Sequence, residues 1–211
     1  NPDEKGIVYS VAGIDQKITL SAVGGPTNIK AVAKSVENNQ NLESFNLTQM
    51  PDTGLWTGII SFKNPGAYKL VIEAVDGGGN KTSRIINDIY VAPQSKVVSE
   101  GNNEPINAKV EVFYLEPESS RWTLWEGASY GQANPQNTDP LGNFKLFLPE
   151  GKYYITATAK GFTRLTTDIF EVNQSKPIST TLTMDKKLGL DLGKIDISLP
   201  TWTTGISRYR F

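Results

Sequence analysis

Tyr68-Lys69-Leu70-Val71-Ile72-Glu73-Ala74 lies between the turn residues Asn64-Pro65-Gly66 and Asp76-Gly77-Gly78-Gly79-Asn80. Its apolar residues recur at every second position, which is the pattern of a β-strand with one buried face. Gly, Pro, Asn and Asp at both ends supply the backbone angles and local hydrogen bonds that tight turns need. Working outward, Ile18–Val23 and Ile29–Ala33 repeat the alternation, separated by Gly24-Gly25-Pro26. Pro51-Asp52-Thr53-Gly54 marks a further turn, and Asp88-Ile89-Tyr90-Val91 closes the set. Val36 to Leu47, rich in Asn, Gln and Glu, reads as a solvated loop or a weak edge strand. Short strands at this spacing predict an antiparallel sandwich or barrel.

Ala92-Pro93-Gln94-Ser95 reads as a linker, and a second set of strands follows it. Its members are Ala108–Tyr114, Arg121–Trp125, Asn143–Leu148, Tyr153–Ala159, Ile169–Val172 and Ile178–Met184. The expected fold class is therefore all-β, with two tandem antiparallel β-sandwich domains at 1–93 and 94–185. A β-rich tail covers 186–211. In that tail Leu188, Leu190 and Leu192 share one parity, and Ile195, Ile197 and Leu199 share the other. One extra residue near Gly193-Lys194 restores a common face, as a β-bulge does. The tail reads as an edge strand added to one domain or as the start of a further module. Its Leu/Ile face, if uncovered, is a route to self-association.

The composition narrows the chemistry. The 211 residues include 21 basic and 22 acidic side chains, a net charge of -1, and neither Cys nor His. No disulfide, thiolate or ordinary zinc site can form, and no nucleophile–His machinery is available. A near-neutral chain also lacks the concentrated basic surface a nucleic-acid binder requires. Two units of this size bury enough apolar surface to fold without a covalent staple. The chain begins Asn-Pro-Asp-Glu-Lys, with no run of apolar residues long enough to cross a membrane, and reads as a segment cut from a longer polypeptide.

The second set resembles the carboxypeptidase-regulatory-like, or transthyretin-like, β-sandwich family over about residues 97–184. The motifs that carry the resemblance are Glu104–Val112, Thr138–Phe144, Leu148–Tyr153 and Ala159-Lys160-Gly161-Phe162, in that order. The first set resembles the immunoglobulin-like repeats of bacterial surface proteins over about residues 8–92. There the motifs are Leu55–Ile60, Pro65–Leu70 and Ala74–Asn80. These resemblances imply an accessory, extracellular or cell-surface role. Collagen-adhesin B-type repeats, a related family, join their first and last strands by an isopeptide bond. Lys109 stands at the matching first strand. Ile155–Thr158 lacks the required Glu and Ile178–Met184 lacks an Asn or Asp, so no such bond is expected.

No Ser lies three residues before a Lys, and no phosphate-binding glycine loop is present, so a non-enzymatic chain is expected. Asp76 and Asn80 are oxygen-bearing candidates for a calcium ion, with a plain hairpin turn as the alternative reading. No other cofactor is expected. Trp122, Trp125, Tyr130, Gln132 and Asn134 form an aromatic and amide-rich stretch suited to a protein partner or a cell-surface glycan. Aromatic faces stack on sugar C–H groups while amides bond hydroxyls. The expected function is a stalk, spacer or adhesion segment of a secreted or surface-attached prokaryotic protein. A carbohydrate-binding or accessory module of an extracellular hydrolase is the alternative.

Overall fold

A computed structural model describes residue 4 and residues 6–187. The alternating residues of the tail, from Leu188 onward, lie outside the described residues. The first half forms β1 (Ile7–Val11), β2 (Gln16–Leu20), β3 (Pro26–Ser35), β4 (Asn41–Gln49), β5 (Trp56–Ile60), β6 (Gly66–Asp76) and β7 (Lys81–Ala92). They are hydrogen-bonded in the order β1-β7-β6-β3-β4-β5-β2.

The quoted stretch is the middle of β6, paired along its length with β3 on one side and β7 on the other. Its even-numbered residues face inward. Tyr68 and Leu70 join Ile29, Ala31, Ala33, Leu47, Trp56, Phe62 and Val91 in one buried cluster.

Val36–Leu47 divides between its two readings, a solvated turn at 36–40 and then a stretch of β4 that pairs on one side, with β3. Thr48 and Gln49 then pair with β5. A single strand thus passes from one layer of the sandwich to the other. Only Leu47 of β4 is buried, so the strand carries almost no alternation to read.

The second half forms β8 (Ser95–Ser99), β9 (Lys109–Glu116), β10 (Arg121–Leu124), β11 (Gln136–Asn137), β12 (Asn143–Phe144), β13 (Phe147–Leu148), β14 (Gly151–Thr158), β15 (Leu165–Thr166), β16 (Phe170–Val172), β17 (Lys176–Pro177) and β18 (Thr181–Met184). The main sheet runs β10-β9-β14-β15, β12-β8-β18 forms a three-stranded sheet, and β13 pairs with β17. Val110, Val112, Trp125, Phe144, Leu146, Leu148, Tyr153 and Ile155 pack together between them.

Three expectations change. The linker shrinks to Pro93-Gln94, because Ser95 already begins β8. Asn143–Leu148 is two short strands rather than one, interrupted at Lys145-Leu146. The sheets are not purely antiparallel: β1 runs parallel to β7, and β18 parallel to β8. In each case a strand at one end of its half lies beside a strand from the other end. Distance along the chain leaves room for the crossover a parallel pair demands.

Both halves use the same corner. Tyr68 donates its hydroxyl to the Asn64 carbonyl at 2.7 Å, and Tyr153 donates to the Pro149 carbonyl at 3.1 Å. Two residues before each Tyr stands a glycine at φ 150° or 152°, Gly66 and Gly151, in a region closed to side chains. At Gly151 a Cβ would also lie 2.5 Å from the Tyr114 ring. The hydroxyl ties the loop carbonyl to the strand that follows, much as in the tyrosine corner of sandwich proteins. Burial raises the Tyr153 hydroxyl pKa, so the group stays a protonated donor.

Candidate interaction surface

The polar segment from Gln132 to Thr138 is built into the fold through alternate side chains. The Gln132 amide accepts from the Phe147 N–H and donates to the Phe147 carbonyl, each at 2.8 Å. Gln136 does the same with Lys145, at 3.1 and 2.8 Å. Asn134 points the other way. It accepts from Val112 N–H at 3.0 Å and donates to the Val112 and Trp125 carbonyls, both at 2.8 Å. The Thr138 hydroxyl accepts from Ala108 N–H at 2.9 Å and donates to the Ile106 carbonyl at 2.7 Å.

Each carboxamide therefore stands in for a peptide group. Gln132 and Gln136 complete the interrupted stretch between β12 and β13. Asn134 fills the gap on β9 between the residues paired with β11, Lys109 and Val110, and those paired with β10, Phe113 to Glu116. Peptide groups in a packed interior must be bonded, and side chains satisfy those the ladder leaves open. The sequence signal was present as carboxamides at 132, 134 and 136 on one parity. Without strand register they read equally well as ligand contacts.

The five residues singled out in the sequence do not form one surface. Trp125 is only 6% exposed and Gln132 only 5%, and the Asn134 amide is fully engaged with the backbone. Burial and these bonds take all three out of the contact set. Tyr130, 39% exposed, closes a short 3-10 turn at Ala128–Tyr130 and packs against Trp125 and Phe147. Trp122 lies elsewhere, on the outward face of the main sheet.

There its ring meets Tyr154 edge-on at 4.8 Å, and Tyr154 stacks on Phe113 at 4.8 Å and 8°. Leu124 sits opposite Phe113 in the register and is 44% exposed. Trp122, Phe113, Tyr154 and Leu124 are thus an apolar patch on a sheet face. Phe113 and Tyr154 were not singled out from sequence, because cross-strand neighbours emerge only from the register. Glu111 borders the patch, held by Lys109 at 2.6 Å and approached by Thr156 at 3.4 Å. The hydrogen bond from Lys109 lowers the Glu111 pKa.

Asp76 and Asn80 form a turn clamp. One Asp76 oxygen accepts from Gly78 N–H and Asn80 N–H, and the other from the Asn80 amide, all at 2.9 Å. Asn80 thus turns an N–H rather than an oxygen toward the carboxylate. These bonds, that from the Asn80 side chain foremost, lower the Asp76 pKa. Asp139 and Asn143 repeat the arrangement at 2.8, 2.8 and 3.0 Å. At Asp139 burial raises the pKa, and the bonds from Asn143 and Leu141 outweigh it to give a net lowering. Among the described residues no group of three or more Asp or Glu is placed to hold a metal.

Where the halves meet, three contacts converge on the turn that joins β1 to β2. Gln94 donates to the Ala12 carbonyl at 2.9 Å, and Lys145 Nζ donates to the Gly13 carbonyl. A Cβ at Gly131 would stand 3.0 Å from the Asp15 carbonyl oxygen. The buried Ser95 fixes the departing chain, accepting from Thr180 N–H at 3.1 Å and donating to the Ile178 carbonyl at 2.9 Å. Beside this junction a cleft of about 1050 Å³ opens between β1 and β2, with Tyr130 and Glu150 on its far wall.

No family model and no curated protein sequence matches the chain. Solved structures do. One is the pilus adhesin RrgA of Streptococcus pneumoniae, at 9% identity over 84% of this chain and 32% of that one, with a TM-score of 0.34. The fibronectin(III)-like modules of Clostridium thermocellum CbhA are similar at 12% identity over 82% and 90%, with a TM-score of 0.31. The cycloalternan-degrading enzyme of Trueperella pyogenes is similar at 9% identity over 83% and 30%, with a TM-score of 0.33. The chain spans about a third of the length of the adhesin and of the degrading enzyme. Among the described residues no helix is long and apolar enough to cross a membrane.

Proposed function

We propose that the chain is a non-catalytic structural segment of a larger secreted or cell-surface prokaryotic protein. Its two sandwich modules, 1–93 and 94–185, act as a stiff spacer that presents or positions a partner. The junction carries this reading. A flexible tether needs a loose linker, whereas here two linker residues are flanked by Gln94–Ala12 and Lys145–Gly13 bonds and by the close approach of Gly131 to Asp15. The partner is a protein or a glycan of the cell surface, and the net charge of -1 argues against nucleic acid.

Small-angle scattering tests the spacer. The native chain should show a single, narrow distribution of dimensions, with a radius of gyration above the ~17 Å of one compact globule of this length. Lys145→Ala combined with Gln94→Ala should broaden it. A native chain already as broad as the double variant would overturn the stiff-spacer reading.

A second reading rests on the outward patch of Trp122, Phe113, Tyr154 and Leu124. Rings on a sheet face bordered by the Glu111 carboxylate combine stacking with a polar contact, as glycan recognition requires. Binding on a glycan array that falls at least tenfold in Trp122→Ala, worth about 1.4 kcal/mol, would support it. A blank array removes it and leaves the spacer.

A further inference from the structure

The cleft beside the junction is an opening into the first sandwich. Ile60, Leu70 and Ile89 of the buried core form its floor, and the partly buried Ile18 of β2 stands at one side. Ile59 and Ile86 also line it, although they are 55% and 45% exposed. Exposed apolar groups continuous with an apolar cleft mark a contact surface rather than ordinary solvated positions. Ile86 owes its place to a bulge. Leu70 pairs with Asn87 and Val71 with Ile85, so Ile86 stands opposite no residue of β6. A bulge of this kind re-aims a side chain at the expense of the ladder. One buried polar group lies among these residues. Ser10 is 1% exposed, and its hydroxyl reaches the Val11 carbonyl only at 3.4 Å. That is long for a hydroxyl donor, and it leaves the group able to bond an incoming carbonyl.

β2 supplies the other half of the site. It pairs with β5, and among the described residues no strand pairs its other edge. Its 5 residues present backbone N–H and C=O groups along about 17 Å. An extended peptide offers a run of complementary groups at that spacing, which a glycan or a lipid chain does not. The charges narrow the class further. Asp15 and Glu150 line the cleft with Lys17 as the cation among the described lining residues, so acid exceeds base. A folded second copy is a poor occupant. Each described strand already belongs to a sheet, and Lys17 on the open edge guards it against pairing with its own kind.

We propose that this cleft captures an extended segment of a partner protein, laid beside β2 as an added strand. Apolar side chains at alternate positions of the segment enter between Ile59 and Ile86 toward the floor. A Lys or Arg at its junction end meets Asp15 and Glu150, and the Ser10 hydroxyl donates to one of its carbonyls. The partner of the spacer is thereby narrowed to an apolar, weakly basic peptide. The proposal rests on the spacer reading only for there being a protein partner. Scattering tests the stiffness of the junction, and peptide capture tests the cleft, so each can fail without the other.

Selection on the full chain from a phage-displayed library of random peptides, each about ten residues long, is the test. The native chain should enrich peptides with apolar residues at alternate positions and a Lys or Arg at one end. Ile86→Asp changes an exposed side chain and should leave the melting temperature unchanged, yet weaken the most enriched peptide about tenfold. Glu in place of that peptide's basic residue should weaken it to a similar degree, whereas Trp122→Ala should have no effect. The bound peptide should slow hydrogen exchange at the backbone amides of Lys17–Leu20 about tenfold and leave Arg121–Leu124 as before. No enrichment over the Ile86→Asp chain, enriched peptides without alternation, or protection at Arg121–Leu124 in place of Lys17–Leu20 overturns the proposal. A native chain that sediments as a dimer, and as a monomer in Ile86→Asp, overturns it in favour of a second copy as the occupant.

Discussion

Asn134→Ala is expected to destabilise the second module by about 2–4 kcal/mol, an effect usually reserved for a core residue. The side chain bonds Val112 N–H, the Val112 carbonyl and the Trp125 carbonyl. Val112 is wholly buried and sits mid-strand on β9, so water cannot freely replace the lost partners. A buried peptide group left unbonded costs about 1–3 kcal/mol. The Trp125 N–H still reaches the Val112 carbonyl at 2.9 Å, which keeps the total below three full penalties. For a domain near 90 residues this loss corresponds to a melting temperature lower by about 10–25 °C. Asn134→Asp separates shape from bonding, because it keeps the volume but loses the amide donors facing two carbonyls. It should cost at least as much as Asn134→Ala. A loss under about 0.5 kcal/mol in either variant, the range of an ordinary surface substitution, would reduce the loop to a surface connection.

The bonding of Asn134 to the backbone also bears on what the sequence could and could not convey. Tyr68–Ala74 was legible because β6 has a partner on each side and a core on one face, so apolar residues recur at every second position, with Val71, at a register shift against β7, the one added apolar residue. β4 was legible only in part. Its place between β3 and β5 is held by backbone pairing while its side chains remain largely exposed, and a backbone bond leaves no mark on polarity. The amides at 132, 134 and 136 failed for a related reason. Their chemistry was read correctly as hydrogen bonding, but the partners were peptide groups 9 to 22 residues away rather than a ligand. Trp122 and Trp125, three residues apart, ended on different faces, and Phe113 and Tyr154 joined Trp122 only through the register of β9 with β10 and β14. Composition and periodicity establish which faces are buried; which residues meet across strands depends on register and sheet order.

The sharpest test of the two-module division is Phe62→Ala. Phe62 is fully buried just beyond β5, with its ring 5.0 Å from Tyr68 and 6.2 Å from Phe45. Removing a buried Phe side chain costs about 3–5 kcal/mol, since the cavity closes only in part. Small domains are stable by about 5–15 kcal/mol, so this consumes a large share of the first module's stability. None of the buried residues in that cluster lies beyond Val91, and none in the second precedes Val97. The loss should therefore remain in 1–93. Hydrogen exchange on heating should show β3 and β6 opening well before β9 and β14, and Phe144→Ala should reverse the order. The junction sets the limit on this independence, because Gly13 N–H bonds the Phe62 carbonyl at 2.7 Å while its own carbonyl accepts from Lys145. Bonds of that kind contribute about 0.5–1.5 kcal/mol each, or up to about 3 when charged. They can shift the second module's opening modestly without merging it with the first. If both sheets open together in both variants, 1–93 and 94–185 are one cooperative unit, and the two cores are regions of a single domain.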